Sequence, residues 1–247
     1  MKIAQALIDY ALPLAEKATV KDLRLGLGYS CIELSDGSSG VAWTPDKRQS
    51  GSCTHLRQAG NLIGLSASET LSWLDSDNLL ERAAGLATFN ALNSRVKREL
   101  YSEEATSLLQ IKSSDHVVMV GYFAPIIPKL KETGCHLEIV ELDEEKPEVL
   151  NTQQGFKAIA ECDVAIITAT SIINNTADGL FAALKRNRAA TILGPSTPMA
   201  PEAFKGTRIT QLSGSYVRDI DKVKTIVSQG GGTMLLKKFL DFSTVKI

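Results

Sequence analysis

Apolar residues at the start of the chain return at helical spacing. Ile3, Leu7, Tyr10, Ala11 and Leu14 share one face, with Asp9 and Glu16 between them, which predicts an amphipathic helix over about residues 2–17. The period then shortens. In DLRLGLGYSCIEL, Leu23, Leu25 and Leu27 alternate as on a strand, Asp36-Gly37 gives a turn, and VAWT returns as a second strand, so a hairpin is expected. SASETLSWL carries Ser66 and Glu69 at capping-box spacing. DNLLERAAGLATFNALN is the strongest helix of this half. Its stripe of Leu80, Ala84, Ala87 and Ala91 is small and apolar, which predicts close packing. Asn78, Arg82, Phe89 and Asn93 fall on another face, which is either solvated or borders a cleft.

From about Lys112 short apolar runs alternate with helical segments. DHVVMVGYF, HLEIVELD, DVAIITATS, AATILG and TRITQLSG read as strands. APIIPKLKETG reads as a helix with an early proline and Gly134 as its stop. Further helices are expected from about Thr176 to Asn187 and over RDIDKVKTIVSQGGG, the last ended by glycines. This alternation predicts an α/β fold: a small α+β domain over residues 1–112, then a doubly wound parallel sheet over residues 113–247.

The chain has 247 residues, 44% hydrophobic and 22% charged, with a formal net charge of −1. That composition supports a packed core. It gives no basic bias toward nucleic acid and no polybasic run toward a membrane surface. The longest apolar segment, VVMVGYFAPII, is interrupted by Gly121 and Pro125 and falls short of the roughly 18 residues of a membrane helix. The first residues lack the pattern of a secretory leader. Cys31, Cys53, Cys135 and Cys162 are widely spaced with no C-x-x-C, which suits reduced thiols and a cytoplasmic location.

In open α/β sheets ligands bind beyond the carboxyl ends of the strands. The residues following the five strands are therefore the candidates: Gly121; Glu141 and Asp143; Thr168, Thr170, Ser171, Asn174 and Thr176; Gly194, Ser196 and Thr197; and Ser213 to Ser215. Small hydroxyls and helix starts suit an anionic ligand. In LGPSTPMAP, prolines 195, 198 and 201 stiffen the loop that holds Ser196 and Thr197, as the wall of a preorganised pocket or as a turn capping a helix. The full G-x-G-x-x-G fingerprint is absent, so a nicotinamide cofactor is disfavoured. Glu141 lies 20 residues after Gly121, which leaves a nucleoside-type cofactor open. His55, His116 and His136 show no zinc spacing, and His116, Cys135 and His136 open strands at the end away from the expected pocket. A pocket between the halves would be needed to bring Cys53, His55 and a carboxylate together. No G-x-S-x-G occurs and no histidine follows Ser171 or Ser196, which disfavours a Ser-His-Asp hydrolase.

Taken in order, NLLERAAGLATFNALN, VGYFAPIIPKL, TATSIINNT, LGPSTPMAP, LSGSYVRD and the closing GGG resemble a family described as "putative heavy-metal chelation". Its members pair an enolase-N-terminal-like domain with a Rossmann-like domain of unknown function. The most specific parts are S-x-x-N-x-T (Ser171, Asn174, Thr176) and GPSTP (Gly194–Pro198). The resemblance implies a ligand site in the cleft between the two domains, formed by Thr170, Ser171, Asn174, Thr176, Gly194, Ser196 and Thr197. Expected partners are a small anionic molecule or a metal chelate. A metal ion stays open as a cofactor, a homodimer as an assembly, and catalysis as a question. The alternative is an enzyme that holds S-adenosylmethionine, or a similar nucleoside-type cofactor, through Glu141 or Asp143.

Overall fold

The computed structural model describes residues 2–46, 54–141 and 149–247. The first helix, α1 (Ile3–Ala11), is shorter than its apolar pattern, because Pro13 turns the chain into a 3-10 segment over Leu12–Ala15. Three antiparallel strands follow, β1 (Val20–Leu25), β2 (Tyr29–Leu34) and β3 (Ser39–Trp43), in the order β1-β2-β3. The Asp36-Gly37 turn joins β2 to β3, with Gly37 at φ 83°. The alternating stretch expected as one strand is two. It breaks at Gly26–Gly28, where a Cβ on Gly26 would stand 2.2 Å from the Val227 carbonyl oxygen.

Helix α2 (Ala67–Ser72) starts at Ser66, whose hydroxyl accepts the Glu69 N–H at 3.1 Å. Helix α3 (Leu79–Asn93) starts at Asn78, whose side chain accepts the Leu80 N–H. It lies unusually close to β3. A Cβ on Gly40 would come within 2.3 Å of the Ala87 carbonyl oxygen and 2.4 Å of the Ala91 nitrogen. The small residues of the Leu80–Ala91 stripe thus serve the close contact expected of them.

After the short α4 (Ala105–Leu108) a second, seven-stranded sheet begins. It comprises β4 (His116–Val120), β5 (His136–Val140), β6 (Val149–Leu150), β7 (Val164–Thr168), β8 (Ala189–Leu193), β9 (Gln211–Val217) and β10 (Leu240–Lys246), in the spatial order β10-β9-β8-β7-β4-β5-β6. All neighbours are parallel except β10, which runs antiparallel to β9. The sheet is therefore mixed, a correction to the fully parallel expectation. A closing helix, α9 (Ile220–Ser228), and the single turn α10 (Thr233–Leu236) bring the chain back as a hairpin-like return at the edge. The architecture is an α/β fold with an N-terminal β-sheet subdomain and a larger sheet that resembles a Rossmann-like domain.

Helices cover both faces of the large sheet. α5 (Ile127–Glu132) buries Ile127 and Leu130 against Val117, Met119, Ile139 and Ile166. α6 (Thr152–Glu161) and α8 (Ala177–Ala183) bury Ile159 and Leu180 against the other face, with Val118, Ala165 and Ile167. That second face also carries the small sheet and α3, so Leu7, Ile32, Leu86 and Phe89 share one core with Ile192 and Leu212. Strand β2 is buried on both sides. Ile32 and Leu34 face α3, while Tyr29 and Cys31 face Val223 and Val227 of α9. Among the described residues no helix is long and apolar enough to cross a membrane.

Candidate functional site

The chain moves outward from β4 through β5 to β6, then returns to the other side of β4 with β7, β8 and β9. The carboxyl ends of β4 and β7 thus flank the reversal point where open α/β sheets form a ligand crevice. Gly121 ends β4 at φ 96°, and a Cβ there would lie 2.9 Å from Thr168 Cβ, so conformation and space both require glycine. The next amide, Tyr122 N–H, donates to the Glu141 carboxylate at 3.0 Å. The chain's own carboxylate therefore sits on the amide that would otherwise face an anion. Asp143 lies outside the described residues.

On the β7 side the Thr168 and Thr170 hydroxyls are 3.0 Å apart. Ser171 is buried and donates to the Thr168 carbonyl at 2.7 Å. Thr176 donates to the Ser171 carbonyl at 3.4 Å, and the Asn174 N–H to the Thr170 carbonyl at 2.9 Å. The S-x-x-N-x-T segment is thus a self-bonded turn. It closes the one-turn helix α7 (Thr170–Ile173) and opens α8. The side chains of Thr170, Asn174 and Thr176 stay at least partly exposed.

The proline loop is a joint. Ser196, 2% exposed, accepts the Trp43 N–H at the end of β3 at 2.8 Å. Its carbonyl takes a hydrogen bond from Asn90, which also donates to Val41. Asn93 donates to the Met199 carbonyl at 2.9 Å, and Ser215 to the Pro195 carbonyl. Thr197 is fully buried, and its hydroxyl has no hydrogen-bond partner among the described residues. One helical turn series upstream, Arg82 donates to the Ile173 and Ile172 carbonyls at 2.8 and 2.6 Å, receiving the open end of α7. Burial holds its guanidinium pKa below the ordinary value. The second face of α3 is therefore divided: Asn78 at its start is partly exposed and borders a cavity, while the remainder is not solvated. Its Arg82, Phe89 and Asn93 are buried in the seam between the two sheets.

A cavity of about 720 Å³ opens beside this seam. Leu25, Leu27 and Leu79 form its apolar side, and Asp46, His55 and Asp77 its polar side. An adjoining space of about 460 Å³ shares His55, Asp77 and Asn78, and Asn78 is fixed to the His55 carbonyl at 2.8 Å. None of the strand-end residues named from the sequence lines these two cavities; Gly194, Ser213 and Gly214 line a smaller one on the opposite face of the large sheet. The cavity is reached through the chain on either side of the seam. Thr44, Pro45 and Asp46 follow Trp43, and Leu79 and Leu80 precede Arg82. Sequence reasoning named His55 as one possible member of such a pocket but had no signal for Asp46 or Asp77. Their meeting depends on how β3 and α3 are packed.

The donors were tested against the chemistry of a heavy metal. Cys31 and Cys162 are buried, and burial pushes their thiols up to about 12 and about 11. Neither is a ready thiolate ligand. Cys135 donates to the Leu130 carbonyl at 3.5 Å, and Cys53 lies outside the described residues. His116 bonds Glu138 at 2.6 Å and stacks on His136 at the amino ends of β4 and β5, away from the crevice as expected. Among the described residues no three of His, Cys, Asp and Glu converge as a metal cage. The residues do not fit a bare soft metal ion. Oxygen and nitrogen donors on one side of an apolar-walled cavity fit a metal that arrives with ligands of its own.

Known proteins bear on this arrangement. A family model described as "Putative heavy-metal chelation" (DUF364) matches residues 104–246, and a second with the same description (DUF4213) matches residues 8–93. An uncharacterized protein of Methanocaldococcus jannaschii is 25% identical over 232 residues, covering 90% of this chain and 88% of that protein. A DUF364-family protein of unknown function from Pyrococcus horikoshii has a TM-score of 0.87 at 23% identity, over 99% of this chain and 100% of that one. Another from Desulfitobacterium hafniense has a TM-score of 0.82 at 23% identity, over 98% and 99%. The two solved structures share the fold. With more than half its length matched by one family model and most of the remainder by its companion, the chain belongs to the DUF364 family, whose description is "Putative heavy-metal chelation".

Proposed function

We propose that the protein binds a small-molecule chelate of a transition metal in a cavity lined by residues of the first expected domain, 1–112. The observation that carries this reading is the cavity of about 720 Å³ with two carboxylates and an imidazole facing leucines. Asp46 and Asp77 make it unfavourable for a free anion and favourable for a cationic centre. Leu25, Leu27 and Leu79 supply the apolar surface that an organic chelator covers. One or two protein donors complete the coordination of a metal that already carries most of its ligands, so a full protein cage is not needed. The partly exposed Thr170, Asn174 and Thr176 line neither this cavity nor the adjoining one and would serve the crevice at the strand ends instead.

The test is a thermal-shift and calorimetric screen of the full chain with nickel alone and with nickel bis(ethylenediamine), a chelate that keeps its positive charge. The chelate should stabilise the protein by about 2.7 kcal/mol at a hundredfold excess over Kd. His55→Ala and Asp77→Asn should each weaken binding at least tenfold. Equal binding of the bare ion and the chelate, or none of either, rejects the proposal. A second reading, an enzyme with a nucleoside-type cofactor, draws on the reversal of strand order between β4 and β7, where such cofactors bind in related sheets. Stabilisation by S-adenosylmethionine in the same screen, lost in Glu141→Ala, selects it.

A further inference from the structure

The outer face of β8, β9 and β10 is polar where a covered sheet is ordinarily apolar. Residues pointing toward the seam, Ile192, Leu212 and Val245, enter the shared core. Their neighbours on the other face include Thr191, Gln211, Ser213 and Thr244, all buried. Their side chains form a chain across three strands: Thr191 to Ser213 at 3.4 Å, Ser213 to Thr244 at 2.8 Å, and Gln211 to the Ala105 carbonyl at 2.9 Å. Strand register sets this up, since Ser213 pairs with Leu193 on one side and with Thr244 on the other.

Over this hydroxyl surface lies a cavity of about 220 Å³. Ser213 and Thr244 line it together with Gly194, Ile126, Phe242 and Glu103. Gly194 holds φ 126°, and nothing stands within 4 Å of where its Cβ would be, so bare backbone faces open space. Phe242, on the edge strand, is 47% exposed, an unusual position for a large aromatic ring. Among the described residues no Lys, Arg or His lines the cavity, and nearby Lys129 is held by Glu104 at 2.7 Å.

We propose that this cavity is a second binding site, for a small uncharged polyhydroxylated molecule of monosaccharide size. The Ser213 hydroxyl is engaged by Thr244, Thr191 and Gln211, whereas the Thr244 hydroxyl meets Ser213 alone among the described residues and so keeps capacity for a ligand. The carboxylate of Glu103 accepts from ligand hydroxyls. Phe242 and Ile126 take the apolar C–H face of a ring. The absence of a lining cation, with a carboxylate in the wall, selects against phosphates and carboxylic acids. The volume lies below the roughly 300–1,000 Å³ of sites for larger ligands, which restricts the occupant to about one ring.

Protein-observed NMR of the full chain, titrated with D-glucose, D-ribose and myo-inositol, tests this. At least one of the three should shift the Gly194 and Gly214 amides saturably. Phe242→Ala, at an exposed position where the fold is tolerant, should weaken that binding tenfold or more. Phe156→Ala, another exposed aromatic, should leave it unchanged. No saturable shift with any of the three, equal affinity in Phe242→Ala, or tighter binding of glucose 6-phosphate than of glucose would overturn the proposal. Nickel bis(ethylenediamine) added to the same sample reports on the His55 cavity, so the failure of one site is read separately from the other.

Discussion

Ser196 shows how one hydroxyl can be legible in type and not in role. Its setting between prolines marks a stiffened position, and the loop is held by hydrogen bonds from Asn90, Asn93 and Ser215. The hydroxyl, however, accepts the Trp43 N–H across the seam, and its own carbonyl accepts Asn90. Nothing local to GPSTP specifies a partner 153 residues away. Ser196→Ala should leave a buried N–H without its acceptor and cost about 1–3 kcal/mol of stability. Denaturant unfolding would register this as a lower midpoint at unchanged slope; an unchanged midpoint would show that the contact carries no stability. The same distinction separates Gly121 from Glu141. The need for glycine after β4 follows from a tight turn, whereas the Glu141 contact with Tyr122 depends on β5 lying beside β4.

Among the elements, α3 was the easiest to read and α6 the easiest to miss. The periodicity, N-cap and small-residue stripe of α3 all appear in sequence, and the helix runs over Leu79–Asn93. Helix α6 is shorter and carries fewer apolar residues, burying Ala158 and Ile159. Its signal is the reciprocal capping box of Asn151 and Gln154, a pairing visible as N-x-x-Q. Strand β10 was missed because its alternation is imperfect: Leu240 and Val245 are buried, but Phe242 is exposed on the edge. The polar residues on the second face of α3 illustrate a further limit. Arg82 and Asn93 look solvated in isolation, because sequence pattern does not show which backbone carbonyls will come to meet them. The close approach of α3 to β3 gives a direct prediction. Gly40→Ala would place a methyl 2.3 Å from the Ala87 carbonyl oxygen, forcing the helix off the sheet. A loss of about 1–3 kcal/mol is expected by calorimetry, and Gly232→Ala, at φ −112° with nothing within 4 Å of its Cβ, serves as the control for a glycine change without clash or backbone strain.

For the whole molecule the two sheets share one core, and charged groups reinforce the seam. Glu33 on β2 accepts Lys21 at 2.6 Å and Lys224 of α9 at 2.8 Å. These hydrogen bonds, Lys21 first, hold its carboxyl below the ordinary value. The folded pKa is depressed, so the contribution to stability is fully present above the ordinary Glu pKa of about 4.3 and fades as pH falls through the lower folded value. The stability difference between the protein and Glu33→Gln should therefore shrink steadily with acidification below about pH 4.3. A difference that stays constant across that range would remove Glu33 from the seam's energetics. The sequence by itself determined the α/β class, most strands, the glycine turns and the family, because each rests on local periodicity or on short motifs in fixed order. Tertiary structure decided that the proline loop is a joint, that α3 faces a seam, and that Asp46, His55 and Asp77 line one cavity. Those facts follow from which surfaces are pressed together when the apolar faces of both sheets are removed from water, and no local pattern encodes that choice.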